Sequence, residues 1–251
     1  MATGSLLDLS ELVVAVTGAG GNIGSGIARR LSEAGAGVLL HTRTSPPAVD
    51  DFPGPIASVQ CDLDADGAPD QVLAAGIEHF GRVDALVNNA GIQPVAALTE
   101  VSPDDFRAMF ETNVTSAHRL TMALAAHLED RGGTGSIVHV ASIEGLQPAP
   151  GHGHYASAKA ALRMHARASA LELGPRGVRV NVVSPGLIAR PGIEEQWPEG
   201  VERWQQAAPL GRLGEPEDVA NACAFLLSDL SSWITGAEII VDGGVLARPT
   251  W

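Results

Sequence analysis

The sequence predicts an α/β protein: a doubly wound parallel sheet of about seven strands with helices on both faces. Three observations carry that prediction. Short runs rich in Val, Ile and Leu alternate with longer helix-compatible stretches along the 251 residues. The runs are near-continuously apolar, as strands buried on both faces are, where a half-exposed sheet would alternate. No linker, low-complexity tract or repeat of ~20–50 residues interrupts the series, so residues 1–251 read as a single domain.

The strands follow in order. They are "LVVAVTG" (12–18), "GVLLHT" (37–42), "IASVQCD" (56–62), "VDALVNNAG" (83–91), "GSIVHVAS" (135–142), "GVRVNVVSPG" (177–186) and "AEIIVDGG" (237–244). Between them, 22–35, 69–81, 102–132, 154–174 and 215–229 carry helical periodicity. Ser102-Pro103 and Glu215-Pro216 mark helix starts, and Gly35, Gly81, Gly132 and Gly174 mark ends. One segment breaks the rhythm: 187–214, with three prolines and two tryptophans. It is long for a connection and reads as a functional loop over the site.

Composition narrows the function classes. A formal net charge of −13 with no arginine run argues against a nucleic-acid partner. Hydrophobic residues at 45% and charged residues at 18% argue against disorder. Cys61 and Cys223 lie far apart without a CxxC spacing and read as buried free thiols. The apolar run Leu12 to Val16 is too short for a signal or a membrane span and follows no basic stretch, so a cytoplasmic protein is expected. The eight histidines show no HExxH; no metal is expected, and His152 and His154 read as lining a pocket.

"TGAGGNIG" (17–24) lies between the first strand and the first helix. Glycines let the backbone turn tightly and approach phosphate, and the helix N-terminus supplies N–H groups and a positive dipole end. Gly18, Asn22 and Gly24 set the spacing, with Asn22 where a glycine is expected; asparagine tolerates positive φ better than most residues. The end of the second strand should meet the adenosine ribose. A carboxylate there bonds the 2′-hydroxyl, whereas an arginine accepts a 2′-phosphate. Thr42 stands at the acidic position with Arg43 beside it, and no carboxylate follows before Asp50. NADP(H) is therefore expected in preference to NAD(H).

"GHGHYASAKAAL" (151–162) holds the only tyrosine and the only lysine of the chain, Tyr155 and Lys159, while the other fifteen basic residues are arginine. Residues i and i+4 share a helix face. A cation about 4 Å from a phenol at an effective dielectric of ~20 contributes roughly 4 kcal/mol, about three pKa units. Lys159 is thus expected to bring Tyr155 down towards the working range of an acid/base group. Lysine suits this better than arginine because it is a compact charge on a thin stem.

Taken together these pieces resemble the short-chain dehydrogenase/reductase family along essentially the whole chain. The matches are "TGAGGNIG" for TGxxxGxG, "NNAG" (88–91), Asn113 in "TNV", Ser142 at the fifth strand's end, "YASAK" for YxxxK, Asp62 in "CDL" and "SPG" (184–186). The resemblance implies a Rossmann-type fold and a homotetramer. It implies that Tyr155 is the general acid/base, that Ser142 bonds the substrate oxygen, that Lys159 holds the nicotinamide ribose, and that Asn113 holds a water in a proton relay. It places Ile23, Leu63, Asn89, Ala90, Gly91, Pro185, Gly186 and Ile188 at the cofactor as well. Two positions depart from the family pattern: Asn22 for glycine, and Arg190 for the threonine of "PGxxxT".

The substrate is expected to be a partly apolar small-molecule carbonyl compound or its alcohol, met by Gln93, Glu144, Gln147, His152, Trp197 and Trp204. A 3-oxoacyl substrate on a carrier protein is a sub-case that needs a basic docking patch, for which Arg107, Arg119, Arg163 and Arg167 are the candidates. Trp197 and Trp204, seven apart, equally fit one core-facing helical stripe. The competing reading is a non-catalytic nucleotide-binding regulatory or scaffold protein. A complete Ser–Tyr–Lys set points instead to turnover.

Overall fold

A computed structural model describes residues 7–44 and 52–248. Its strands are β1 (Val13–Val16), β2 (Gly37–Thr42), β3 (Ile56–Gln60), β4 (Ala85–Asn88), β5 (Gly135–Val140), β6 (Val178–Pro185) and β7 (Glu238–Val241). Its α-helices are α1 (Asn22–Glu33), α2 (Ala68–Phe80), α3 (Pro103–Phe110), α4 (Ser116–Asp130), α5 (Gly153–Leu173), α6 (Ile193–Gln196), α7 (Pro198–Ala207) and α8 (Pro216–Leu227). The seven strands form one parallel sheet in the order β3-β2-β1-β4-β5-β6-β7.

Alternation along each strand explains why these strands read as unbroken apolar runs. Val14 and Val16 of β1 and Val38 and Leu40 of β2 face a core shared with Ile27 and Leu31 of α1 and Val219 and Cys223 of α8. Ala15 and Leu39, the residues between them, face a second core with Val72 of α2, Leu120 and Leu124 of α4 and Ala166 and Ala170 of α5. Both faces are therefore apolar. On the first face α1 and α8 approach so closely that a Cβ on Gly26 would lie 2.5 Å from Pro216 Cβ.

The chain leaves β1 for β2 and β3 on one side, then returns to β4 on the other. That reversal opens a crevice at the carboxyl ends of β1 and β4, where ligands bind in sheets of this kind.

Four local expectations are corrected. The helix expected over 102–132 is two helices joined by a π-helical turn, Glu111–Thr115. Its start is as read: Ser102 Oγ accepts from the Asp105 amide at 3.1 Å, and the Asp105 carboxylate accepts from Ser102 N–H at 3.2 Å. After α5, Gly174 keeps right-handed angles and opens a 3-10 turn; Gly177 takes the positive φ of 75°. Segment 187–214 is no open loop, because α6 and α7 fold there over a small core of Ile193, Val201 and Leu213 with Trp204 against it. Cys223 is buried but Cys61 only half-buried, and both are free. Among the described residues no helix is long and apolar enough to cross a membrane.

Candidate active site

The site residues singled out from the sequence line one cleft of about 1270 Å³ at the crevice. Backbone and short side chains build its β1–β2–β4 end. Gly18 turns the chain at φ 65°, and a Cβ on Gly24 would lie 2.2 Å from Gly18 O. Thr17 Oγ1 accepts from the amides of Asn89 (2.9 Å) and Ala90 (3.0 Å), while Asn89 Nδ2 donates to Thr17 O at 2.9 Å, locking "NNAG" onto the turn. A Cβ on Gly91 would collide with Asn113 Oδ1 at 2.3 Å.

Asn22 does not need the positive φ that a glycine there would supply: it opens α1, and among the described residues no non-glycine has positive φ. Its Nδ2 instead donates to Ala189 O at 2.6 Å, tying the glycine turn to the segment after β6. Next to Ala189, the Arg190 side chain is exposed, lines the cleft and makes no ion pair among the described residues.

His41 was not read from the sequence. Gly18 N–H donates to its Nδ1 at 3.3 Å, which leaves Nε2–H to donate to Cys61 O at 3.0 Å. Burial pushes the imidazole pKa down, so the ring stays neutral and keeps that tautomer. The contacts depend on β1, β2 and β3 lying side by side, which no local spacing reveals. Thr42, next along, is buried, and its Oγ1 has no hydrogen-bond partner among the described residues. Arg43 is exposed at the strand end, and its carbonyl accepts from Gln60 Nε2 at 3.3 Å. Asp62 is exposed in the adjoining turn, its Oδ1 accepting from Asp64 N–H at 3.1 Å, with Leu63 buried beside it. Asp50 lies outside the described residues.

This end fits a nicotinamide dinucleotide. No side chain caps α1 at Gly21, so its first N–H groups remain for a pyrophosphate. The glycines leave a cradle that a Cβ would fill.

The reaction end is built from β5, α5 and the π turn. Tyr155 and Lys159 share the first turns of α5, both buried. Lys159 Nζ donates to Val140 O at 2.9 Å and stands 5.6 Å from the Tyr155 ring centroid. Ser142, at the exit of β5, lines the cleft beside the phenol and lowers its pKa. Asn113 is buried in the π turn: Nδ2 donates to Ile92 O and Oδ1 accepts from Ile92 N–H, each at 3.1 Å. The wider turn is what presents this asparagine to the end of "NNAG", a recurrent use of π turns at functional sites.

The expected lowering of the Tyr155 pKa is not found. Burial pushes the phenol up to about 12; the Ser142 hydroxyl pulls it down, and the negative charge of Glu144 pushes it up further. Lys159 is itself pushed down to about 8 by burial. The Coulomb argument from sequence counted the lysine and omitted the desolvation that both groups share.

Gln93, Glu144 and His152 meet on the substrate side. His152 Nδ1 bonds Glu144 Oε2 at 2.7 Å, and Gln93 Nε2 donates to Glu144 Oε1 at 3.1 Å. Gln147 lines the same wall. His154 does not: it is buried in α5, away from the cleft, with Nδ1 unpartnered. Trp204 packs on Gly186, where a Cβ would lie 2.5 Å from the ring, so it mainly anchors the 187–214 segment. Trp197 is 49% exposed at the cleft edge. The two do not share a core stripe.

Comparison with known proteins agrees with this geometry. A family model described as enoyl-(acyl carrier protein) reductase matches residues 18–246. The chain is 33% identical to "3beta-hydroxysteroid dehydrogenase 1" of Eggerthella lenta, with 96% of each chain covered. It is 35% identical to "L-rhamnose 1-dehydrogenase (NAD(P)(+))" of Azotobacter vinelandii, with 96% of this chain and 98% of the relative covered. A solved short-chain type dehydrogenase/reductase from Mycobacterium marinum superposes with a TM-score of 0.86 at 32% identity, covering 97% and 98% of the two chains. The chain belongs to the short-chain dehydrogenase/reductase family. It is an NAD(P)-dependent enzyme acting on CH–OH or C=O groups, and the non-catalytic reading is set aside.

Proposed function

We propose that this protein is an NADP(H)-dependent carbonyl reductase, interconverting a ketone and a secondary alcohol within one domain that carries residues 187–214 as its lid. The observation that carries the reading is the convergence of Ser142, Tyr155 and Lys159 beside the glycine cradle in one cleft. A bound nicotinamide supplies or takes the hydride. The chain's own residues manage the oxygen and its proton. The Tyr155 hydroxyl donates its proton to the substrate oxygen in reduction and accepts it back in oxidation. The Ser142 hydroxyl bonds the same oxygen and stabilises the charge that grows there. Lys159, held by Val140 O, sets a positive charge beside the phenol and would hold the nicotinamide ribose. Asn113, its side chain bonded to Ile92, would hold a water in the proton relay.

The preference for NADP(H) rests on Thr42 and Arg43: no carboxylate ends β2, and a guanidinium lies at the cleft there. Of the four arginines named for the carrier-protein sub-case, Arg107 pairs with Asp104, Arg119 with Glu111 and Arg163 with Glu238, and only Arg167 of the four forms no ion pair among the described residues, which weakens that sub-case. Two free cysteines suit a reducing, cytoplasmic setting. The assembly is proposed as a homotetramer, and light scattering at the monomer mass would refute that part. The test of function is NADPH consumption with a panel of ketones. Steady oxidation of NADPH that requires both ketone and Tyr155 supports the reading; no consumption with any ketone contradicts it.

A further inference from the structure

Three long polar side chains, Gln93 after β4 and Glu144 and His152 after β5, meet beside the reacting hydroxyls, and the chemistry above uses none of them. Glu144 enters the cleft directly after Ser142, its amide donating to Ser142 Oγ at 3.1 Å. Its carboxylate takes His152 Nδ1 on one oxygen and Gln93 Nε2 on the other. The Glu144 and His152 side chains are 17% and 19% exposed, and the His152 ring stands edge-on to Tyr155 with centroids 6.3 Å apart. The cluster therefore lines the cleft beside the Ser142 and Tyr155 hydroxyls.

We propose that Gln93, Glu144 and His152 form a hydroxyl-binding subsite, and that the substrate is a neutral compound with a second hydroxyl beside the reacting carbon: a vicinal diol or sugar, or the matching hydroxy ketone. This rests on the dehydrogenase reading and adds the substrate class. A carboxylate has about four acceptor directions and Glu144 uses two; His152 keeps Nε2 and Gln93 keeps its carbonyl oxygen. That set offers donors and acceptors together, which matches a hydroxyl. An ammonium could use only the acceptors. A carboxylate on the substrate would face Glu144 across a few ångströms and be repelled. A bare ketone would strip water from the cluster and return no hydrogen bond. Across the cleft, Ile193 and the exposed Trp197 offer an apolar wall to the C–H face of such a molecule.

The test compares oxidation of cyclohexanol, its vicinal cis-diol, and cyclohexanol bearing a neighbouring carboxylate, with NADP+ and with NAD+. The diol is expected to exceed cyclohexanol in kcat/KM by roughly tenfold to a hundredfold, the range for a hydrogen bond to a charged group. The carboxylate is expected to fall below both. Glu144→Gln should bring the ratio of diol to cyclohexanol down towards one, with its melting temperature and NADPH affinity followed in parallel. Should that variant not fold, the wild-type ratio alone decides. Cyclohexanol oxidised as well as the diol, the carboxylate accepted as well as the diol, or a full diol preference in Glu144→Gln overturns the subsite and leaves the dehydrogenase reading standing. No oxidation of any of the three with either cofactor overturns both.

Discussion

The dinucleotide end of the cleft is held by backbone turns and short side chains at the tips of β1, β2 and β4, whereas the substrate end is assembled from long side chains on the connections after β4, β5 and β6. At the first end an added methyl group has nowhere to go, as at Gly24 and Gly91. At the second, Gln93, Glu144, His152 and Trp197 fill space that other side chains could fill differently. The contrast accounts for one scaffold serving many alcohols with one kind of cofactor: the rigid half fixes the dinucleotide, and loop side chains choose the substrate.

The largest expected effect lies at the junction of the two ends. Tyr155→Phe removes the proton donor but neither cradle nor pocket. Turnover should fall by about a thousandfold or more while NADPH affinity, followed by tryptophan fluorescence, stays within about threefold. Substantial residual turnover would break the assignment.

Next comes the rigid end. Gly24→Ala places a methyl 2.2 Å from Gly18 O and should weaken NADPH and NADH binding alike, by roughly a hundredfold, a cost of ~3 kcal/mol. Wild-type affinity in that variant would show that the turn adapts and that the contrast is overstated. Arg43→Ala should raise the Kd for NADPH about tenfold with little change for NADH, the value of one charge-assisted contact. Equal effects on both nucleotides would sink the 2′-phosphate reading.

Lys159 gives a smaller effect with a definite sign. Its pKa in the fold is depressed to about 8, so the buried charge costs stability below that pH. The cost fades as pH rises towards the unfolded value near ~10.4. Lys159→Met should therefore raise the melting temperature by a few degrees at neutral pH, and the gain should shrink by about pH 10. An equal gain at both pH values would mean that burial of the charge is not its source. Smallest of all, Trp197→Ala at the substrate end should change KM for the alcohol a few-fold and leave the Kd for NADPH unaltered; a large loss of NADPH affinity would place this ring at the cofactor.

How legible each end was in the sequence follows the same division. The strands read clearly because both of their faces are buried, so 13–16 and 38–40 are unbroken apolar runs. The glycine turn and the Tyr155–Lys159 pair read clearly because their geometry is local, set by a turn or by i, i+4 spacing. His41 did not, because its two bonds depend on which strands become neighbours. Nor did the π turn, since one extra residue per turn leaves the apolar periodicity of 103–130 nearly unchanged. The folded 187–214 segment was hidden by its prolines, Pro191 and Pro198, which suggest a loop yet here flank two short helices. The pKa of Tyr155 was missed because burial, unlike charge, is not written in the neighbouring residues.

The central claim is that this cleft is an NADP(H) site feeding Tyr155. Its most direct test is a titration of the purified protein with NADPH and with NADH, following energy transfer from its four tryptophans. Saturable binding of both, with NADPH about tenfold tighter, is the result expected from the glycine cradle and Arg43. Tighter binding of NADH would contradict the reading of Thr42 and Arg43, and saturable binding of neither would contradict the cofactor site itself.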